Sequence, residues 1–176
     1  MARIIGPDFF NRKAPVIARE LIGQVLVRQT SSGVKRLEIT EVEAYCGFDD
    51  LASHARFGKT KRNTPMFGPP AVTYIYFTYG IHWLLNIVCG PEDYPSAVLI
   101  RAAGGIVGPA RLTKALQIDG IVNNQKLGKE LGLWIEGGRK VPPSQIIKTP
   151  RVGIAYAGTW VEKPWRFVLK ETRTKK

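Results

Sequence analysis

The sequence predicts an α+β fold: a single domain on a curved antiparallel or mixed β-sheet, with peripheral helices and a protruding β-hairpin. Three observations lead there. Strand-like segments dominate and never settle into a strand–helix–strand alternation, which argues against a parallel, doubly wound sheet. Helical signals are confined to a short turn at Asp8 and two short stretches, one from Pro15 toward Leu21 and one from Gly108-Pro109 to Leu116. The run Thr73-Tyr74-Ile75-Tyr76-Phe77-Thr78-Tyr79-Gly80-Ile81-His82-Trp83 is aromatic and β-branched around one glycine, the pattern of a hairpin. With 176 residues, 44% hydrophobic and 10% aromatic, the chain can bury one real core. The domain is expected over residues 1–170, with Glu171–Lys176 as a charged, mainly basic tail.

Taken in order, Asp8 is placed to cap a first helical turn, Pro15 suits a helix start, and Gly23 offers a C-terminal stop. Gln24–Gln29 reads as a strand, with Ser31-Ser32-Gly33 turning into a second over Lys35–Tyr45. The hairpin spans Val72–Val88, and Ala97–Ala102 reads as a buried strand that Gly104-Gly105 ends. Asp119–Lys148 is rich in Gly, Pro and Asn and is expected to be mostly loop and turn. Strands near Arg151–Tyr156 and Arg166–Lys170 close the domain.

Charge narrows the function. Lys and Arg number 26 against 14 Asp and Glu, a formal +12 with a pI near 10.0, which favours a polyanionic partner. DNA, RNA and anionic membrane are the candidates. No apolar run reaches the roughly 18–20 residues of a spanning helix, and Met1–Pro7 has no signal-peptide stretch, so an intracellular protein is expected. Cys46 and Cys89 lack CxxC spacing and read as free thiols; with only His54 and His82 beside them, no metal site is expected. A nucleotide cofactor finds neither GxGxxG nor a P-loop.

The residues with chemistry lie mainly between Glu43 and Asn86. Strict alternation along the second strand puts Leu37, Ile39, Glu41, Glu43 and Tyr45 on one face. Two carboxylates there read from composition as a solvated edge; at the mouth of a pocket beside Tyr45, Glu43 reads instead as a water-activating base. His54 is either a satisfied surface histidine or, beside a pocket, a partner for a nucleobase. Tyr74 and Tyr76 share a strand face. Tyr79, at the hairpin tip, cannot easily be buried by its own fold and is suited to wedge a base stack. Extruding a nucleotide costs a few kcal/mol and aromatic stacking returns roughly 1–3 kcal/mol per base, so two or three rings balance the account. Arg56, Lys59, Lys61 and Arg62 are candidates for DNA-backbone contacts.

Together these residues resemble the alkyladenine (3-methyladenine) DNA glycosylase family of base-excision repair. The resemblance rests on Glu43-Ala44-Tyr45, Ala52-Ser53-His54, Arg62-Asn63, Met66-Phe67, Tyr74-Ile75-Tyr76, Tyr79-Gly80 and Asn86, then on Leu99–Ala102, Gly108–Leu112, Arg151-Val152-Gly153 and Lys163–Phe167, in order along nearly the whole chain. It implies a barrel-like sheet similar to the formyltransferase C-terminal domain, and a monofunctional hydrolase with no lysine nucleophile, cofactor or metal. Its substrate would be double-stranded DNA carrying alkylated or deaminated purines, and its product an abasic site.

By the same resemblance Glu43 activates the water, which Arg101 and a backbone carbonyl at Val152 help to hold. Tyr45 faces His54 and Tyr76 across the flipped base, Asn86 lines the pocket floor, and Tyr79 enters the minor groove. A monomer in a prokaryotic cytoplasm or nucleoid is expected. Cys46-Gly47-Phe48 departs from the family pattern and is expected to bear on the pocket edge.

One point is open to a geometric check. A two-residue turn at Tyr79-Gly80 would put Asn86 opposite Tyr76's face, whereas a three-residue turn, Tyr79-Gly80-Ile81, pairs Tyr76 with Leu84 and brings Asn86 back. The three-residue turn is predicted. The rivals are a basic module that binds nucleic acid without cleaving it, in which Glu43 is dispensable, and an interaction protein with a basic surface.

Overall fold

In the computed structural model, which describes residues 3–170, every strand pairing is antiparallel, so the mixed alternative falls away. The chain runs α1 (Pro7–Phe10), α2 (Ala14–Leu21), β1 (Val25–Thr30), β2 (Gly33–Cys46), β3 (Thr73–Thr78), β4 (His82–Val88), β5 (Ser96–Ala103) and β6 (Ile106–Val107). It continues through α3 (Pro109–Ala115), β7 (Leu133–Glu136), β8 (Ile146–Thr149) and β9 (Arg166–Leu169). The strands form one curled sheet in the order β3-β4-β5-β2-β1-β7, with β9 joining β2 at Glu41–Glu43. Residues 171–176, the predicted tail, lie outside the described residues.

The elements follow from local chemistry. Ala14, Ile17, Ala18 and Leu21 recur at helical spacing and are all buried, so α2 lays one apolar stripe on the sheet. It stops at Gly23, whose φ of +87° suits glycine and where a Cβ would stand 2.7 Å from the Arg139 carbonyl oxygen. Asp8 does not cap α1. Gly6 is the capping residue, and Asp8 sits in the first turn, where its charge complements the helix dipole.

Two loop expectations need correction. Leu133-Trp134-Ile135-Glu136 is a strand, buried at all four positions and paired to β1. Its glycine-rich flanks and its short length hide it from the sequence. Glu136 is tolerated there because Trp134 Nε1 donates to it at 2.9 Å and Arg36 approaches at 3.3 Å. Ile146–Thr149 is a strand as well. Conversely, Arg151–Tyr156 is not a strand but a series of bends and turns, and its backbone serves the site described below.

The feature that positions the site is a pair of bulges. Strict alternation along β2 fails where it meets β5, with register shifts between Ile39 and Glu41 and again between Glu41 and Val42. As a result Ile39, Val42 and Ala44 all join the core, while Glu43 and Tyr45 turn to the opposite side. Ile39 therefore does not share a face with Glu43, as alternation had suggested. On β5 the register skips Arg101, so that Val98, Ile100 and Ala103 enter the core while Leu99 and Arg101 face a cavity. A second cluster, including Ala55, Met66, Phe67 and Tyr74, seats the 47–71 loop on that cavity side.

Candidate active site

Glu43 is fully buried, yet both oxygens of its carboxylate are hydrogen-bonded. Oε1 accepts the Val152 N–H at 2.8 Å, Oε2 accepts the Tyr45 hydroxyl at 2.8 Å, and Arg101 Nη1 stands 3.4 Å from Oε2. Burial raises its proton affinity above that of an ordinary carboxyl; Arg101, the Val152 N–H and the Tyr45 hydroxyl oppose the rise, and Glu41 adds to it. The result is a desolvated carboxyl group with hydrogen-bond donors already in place. Burial and the adjacent Glu43 likewise push the Tyr45 hydroxyl well up, so it stays a donor.

A cavity of about 440 Å³ opens in front of this group, within the size range of small-ligand sites. Tyr45, His54, Tyr76, Asn86, Arg101 and Val152 line it, and Tyr79 and Arg62 reach its mouth. Glu43 lies directly behind Tyr45, Arg101 and Val152. A larger groove of about 750 Å³, between the N-terminal segment, α2 and the 137–146 loop, contains none of the predicted site residues.

His54 and Tyr76 pack edge to face with ring centroids 4.5 Å apart. Tyr74, buried beneath them, holds His54 by a 2.9 Å hydrogen bond between its hydroxyl and Nδ1. Loss of water around the His54 ring, then Arg62 and Arg56, pull its pKa down to about 4, so the imidazole is neutral at pH 7. Burial pushes the Tyr74 hydroxyl up to about 12 and raises that of Tyr76 as well.

The hairpin has the predicted register: Tyr76 pairs with Leu84, Thr78 with His82, and Tyr74 with Asn86. Asn86 therefore shares the face of Tyr74 and Tyr76, where its amide donates to the Tyr74 carbonyl at 3.2 Å. The turn closes through Ile81 N–H to the Thr78 carbonyl, with Tyr79 at φ +51° and Gly80 at φ +67°. Tyr79 is 87% exposed at the tip. A left-handed conformation costs a tyrosine roughly 1–2 kcal/mol, and here it holds the ring out in solvent.

Of the basic candidates, Lys61 is exposed, and Lys59 lies over the Phe67 ring at 5.3 Å. Arg56 is stacked between the Phe57 and Tyr156 rings, 4.6 Å from each. Arg62 donates to the Phe77 carbonyl at 3.0 Å and covers Tyr76, tying the loop to the hairpin. Cys46-Gly47-Phe48 lies away from the pocket edge. Phe48 packs near Phe67 and Tyr94, and none of the three lines the cavity.

Sequence reading gave no role to several residues that build the site. Arg151 and Asp50 form a fully buried two-bond ion pair at 2.6 and 2.9 Å, and Asp50 also accepts the Cys46 and Ala52 N–H groups. Arg151 further donates to the Ala44 carbonyl and lies between the Tyr45 and Trp165 rings, fixing the segment that presents Val152. Removing one partner of such a pair costs about 3–5 kcal/mol. Glu41 and Arg166 form a second ion pair beside the acid. No local signal marks these pairs, whose members lie 101 and 125 residues apart.

The family described as methylpurine-DNA glycosylase matches this chain over residues 8–107 and 105–173, which is nearly all of it. The chain belongs to the methylpurine-DNA glycosylase family. The family consists of DNA-repair N-glycosylases, enzymes that hydrolyse the bond between a damaged base and its sugar. Bacterial and archaeal relatives agree, each bearing the name "Putative 3-methyladenine DNA glycosylase". That of Anaeromyxobacter sp. (strain Fw109-5) is 42% identical over 173 residues, covering 93% of this chain and 87% of the relative. Those of Streptomyces avermitilis and Methanocella arvoryzae are 42% and 36% identical, covering 95% and 96% of this chain and 88% and 94% of their own lengths. No helix among the described residues is long and apolar enough to cross a membrane.

Proposed function

We propose that this glycosylase flips alkylated or deaminated purines, of the 3-methyladenine, 7-methylguanine, hypoxanthine and ethenoadenine class, out of double-stranded DNA and leaves an abasic site. One observation carries this reading: a buried, hydrogen-bonded carboxylate, Glu43, stands behind a cavity walled by Tyr45, His54 and Tyr76. Oε1 accepts the Val152 N–H and keeps a second lone pair, so water can bind there without displacing Tyr45. In the proposed reaction that water attacks the anomeric carbon, Glu43 takes its proton, and the bond to the purine nitrogen breaks as the electron pair leaves with the base. Arg101 and the Val152 carbonyl steady the water, and the negative Glu43 stabilises positive charge developing on the sugar. A cationic base such as 3-methyladenine departs neutral without further protonation. Hypoxanthine requires a proton.

The flipped purine sits between Tyr45 on one side and His54 with Tyr76 on the other. The neutral His54 can accept or donate a hydrogen bond without repelling a cationic lesion. Asn86 on the floor disfavours the exocyclic amino group of normal guanine. Tyr79 fills the gap left in the duplex, and Arg56, Lys59, Lys61 and Arg62 face its phosphates. The protein acts as a monomer inside a prokaryotic cell.

The test is excision from otherwise identical duplexes carrying each lesion or none, read by alkaline cleavage of abasic sites. Scission at the lesions and none at normal purines is the expected result. No scission at any of them contradicts the reading.

A further inference from the structure

Glu41 takes no step in the reaction above, yet it gathers two arginines beside the acid. Its Oε1 accepts Arg101 Nε at 2.9 Å and Arg166 Nε at 2.6 Å. Arg166 stands directly opposite Glu43 in the β2–β9 register, but the carboxylate it binds is that of Glu41. Arg101 reaches both acids with one guanidinium, at ordinary hydrogen-bond distance to Glu41 and at 3.4 Å to Glu43. The β2 and β5 bulges create this arrangement by putting Glu41 level with Ala102, leaving Arg101 unpaired in the ladder between Ala102 and Ile100.

We propose that Glu41 is a positioning residue that draws the Arg101 and Arg166 guanidinium groups off Glu43, so that Glu43 stays basic enough to accept a proton from water. The inference rests on the reading of Glu43 as the base. The groups facing Glu43 are Arg101 from β5, Arg166 from β9, Glu41 and Tyr45 from its own strand, and the Val152 N–H from the loop, with Arg151 behind Tyr45. Without Glu41, Arg101 would have Glu43 as its remaining carboxylate partner, and Arg166, paired with Glu43 across the β2–β9 ladder, would lose its own. A direct arginine pair lowers a carboxyl pKa by about 1–3 units, and a weaker base takes a proton less readily in the transition state. Arg101 would then be fixed on the acid instead of free to hold the water. The raised proton affinity of Glu43, with Glu41 among its causes, agrees with this geometry.

The experiment is the pH dependence of single-turnover excision from a duplex carrying 7-methylguanine. That base leaves without protonation, so the acid limb reports the catalytic base. Glu41→Gln removes the diverting charge and is expected to move the acid limb to lower pH by about one unit, with a reduced plateau. Arg166→Met removes a cation near Glu43 and leaves Glu41 to Arg101 alone, so its limb is expected to move up. Opposite shifts from two touching residues are not what a merely structural role produces. A Glu41→Gln limb that stays in place or rises overturns the proposal. If circular dichroism shows that Glu41→Gln does not fold, the Arg166→Met limb decides, and a fixed or falling one overturns it. Glu43→Gln, run alongside, keeps the two readings apart. Excision surviving that change removes Glu43 as the base, whereas excision lost with it but an unmoved Glu41→Gln limb removes only the role of Glu41.

Discussion

At the scale of single residues the proposed site sets a buried acid among fixed dipoles. Glu43 is costly to bury, and the Val152 N–H, the Tyr45 hydroxyl and Arg101 offset that cost without neutralising the acid outright. His54 shows the same economy, since loss of water around its ring, then Arg62 and Arg56, disfavours the imidazolium. Its folded pKa of about 4 lies below the ordinary 6.5, so its contribution to stability is complete above pH 6.5 and is lost as the pH falls toward 4. The chain has only two histidines, which makes this directly observable. In an NMR titration with His82→Gln for assignment, the His54 resonance is expected to shift near pH 4; a midpoint near 6.5 would show the ring to be free of this environment. Glu43 and His54 were legible as residue types in a suggestive neighbourhood. Tyr74 as the support of His54, Arg151 with Asp50 and Arg166 with Glu41 were not, because contacts between residues 20 to 125 positions apart leave no trace in local sequence.

At the scale of elements the hairpin and the β2–β5 pairing carry the argument. The hairpin could be read in detail because its alternation is regular and the position of Asn86 admits only one turn length, which the structure has. The bulges of β2 and β5 could not be read, since neither the Ile39–Val42 stretch nor Arg101 bears a glycine or any other mark of a bulge. Four-residue β7 was lost among its flanking glycines. The hairpin also yields a prediction. Tyr79 touches solvent almost everywhere, so Tyr79→Ala should change unfolding free energy by no more than about 0.5 kcal/mol. Lesion-duplex binding should nonetheless weaken by about 1–3 kcal/mol, roughly 5- to 150-fold. Unchanged affinity in a fluorescence-anisotropy titration would rule out the wedge.

At the scale of the whole molecule, a formal charge of +12 supplies the long-range attraction to a polyanion, and the curled sheet supplies the place where it is used. The same sheet presents the acid from β2, the arginine from β5 and the ring pair from β3 and the loop over it, around one cavity. Charge and fold class were visible in the sequence; the convergence of these parts on a single carboxylate was not, because it arises from pairings between strands far apart in the chain. Excision of a 7-methylguanine or hypoxanthine duplex by Glu43→Gln, under single-turnover conditions with binding measured in parallel, tests that convergence most directly. The account predicts a rate lower by about 10²–10⁴-fold with lesion binding retained; a rate within a few-fold of the unsubstituted protein would contradict it.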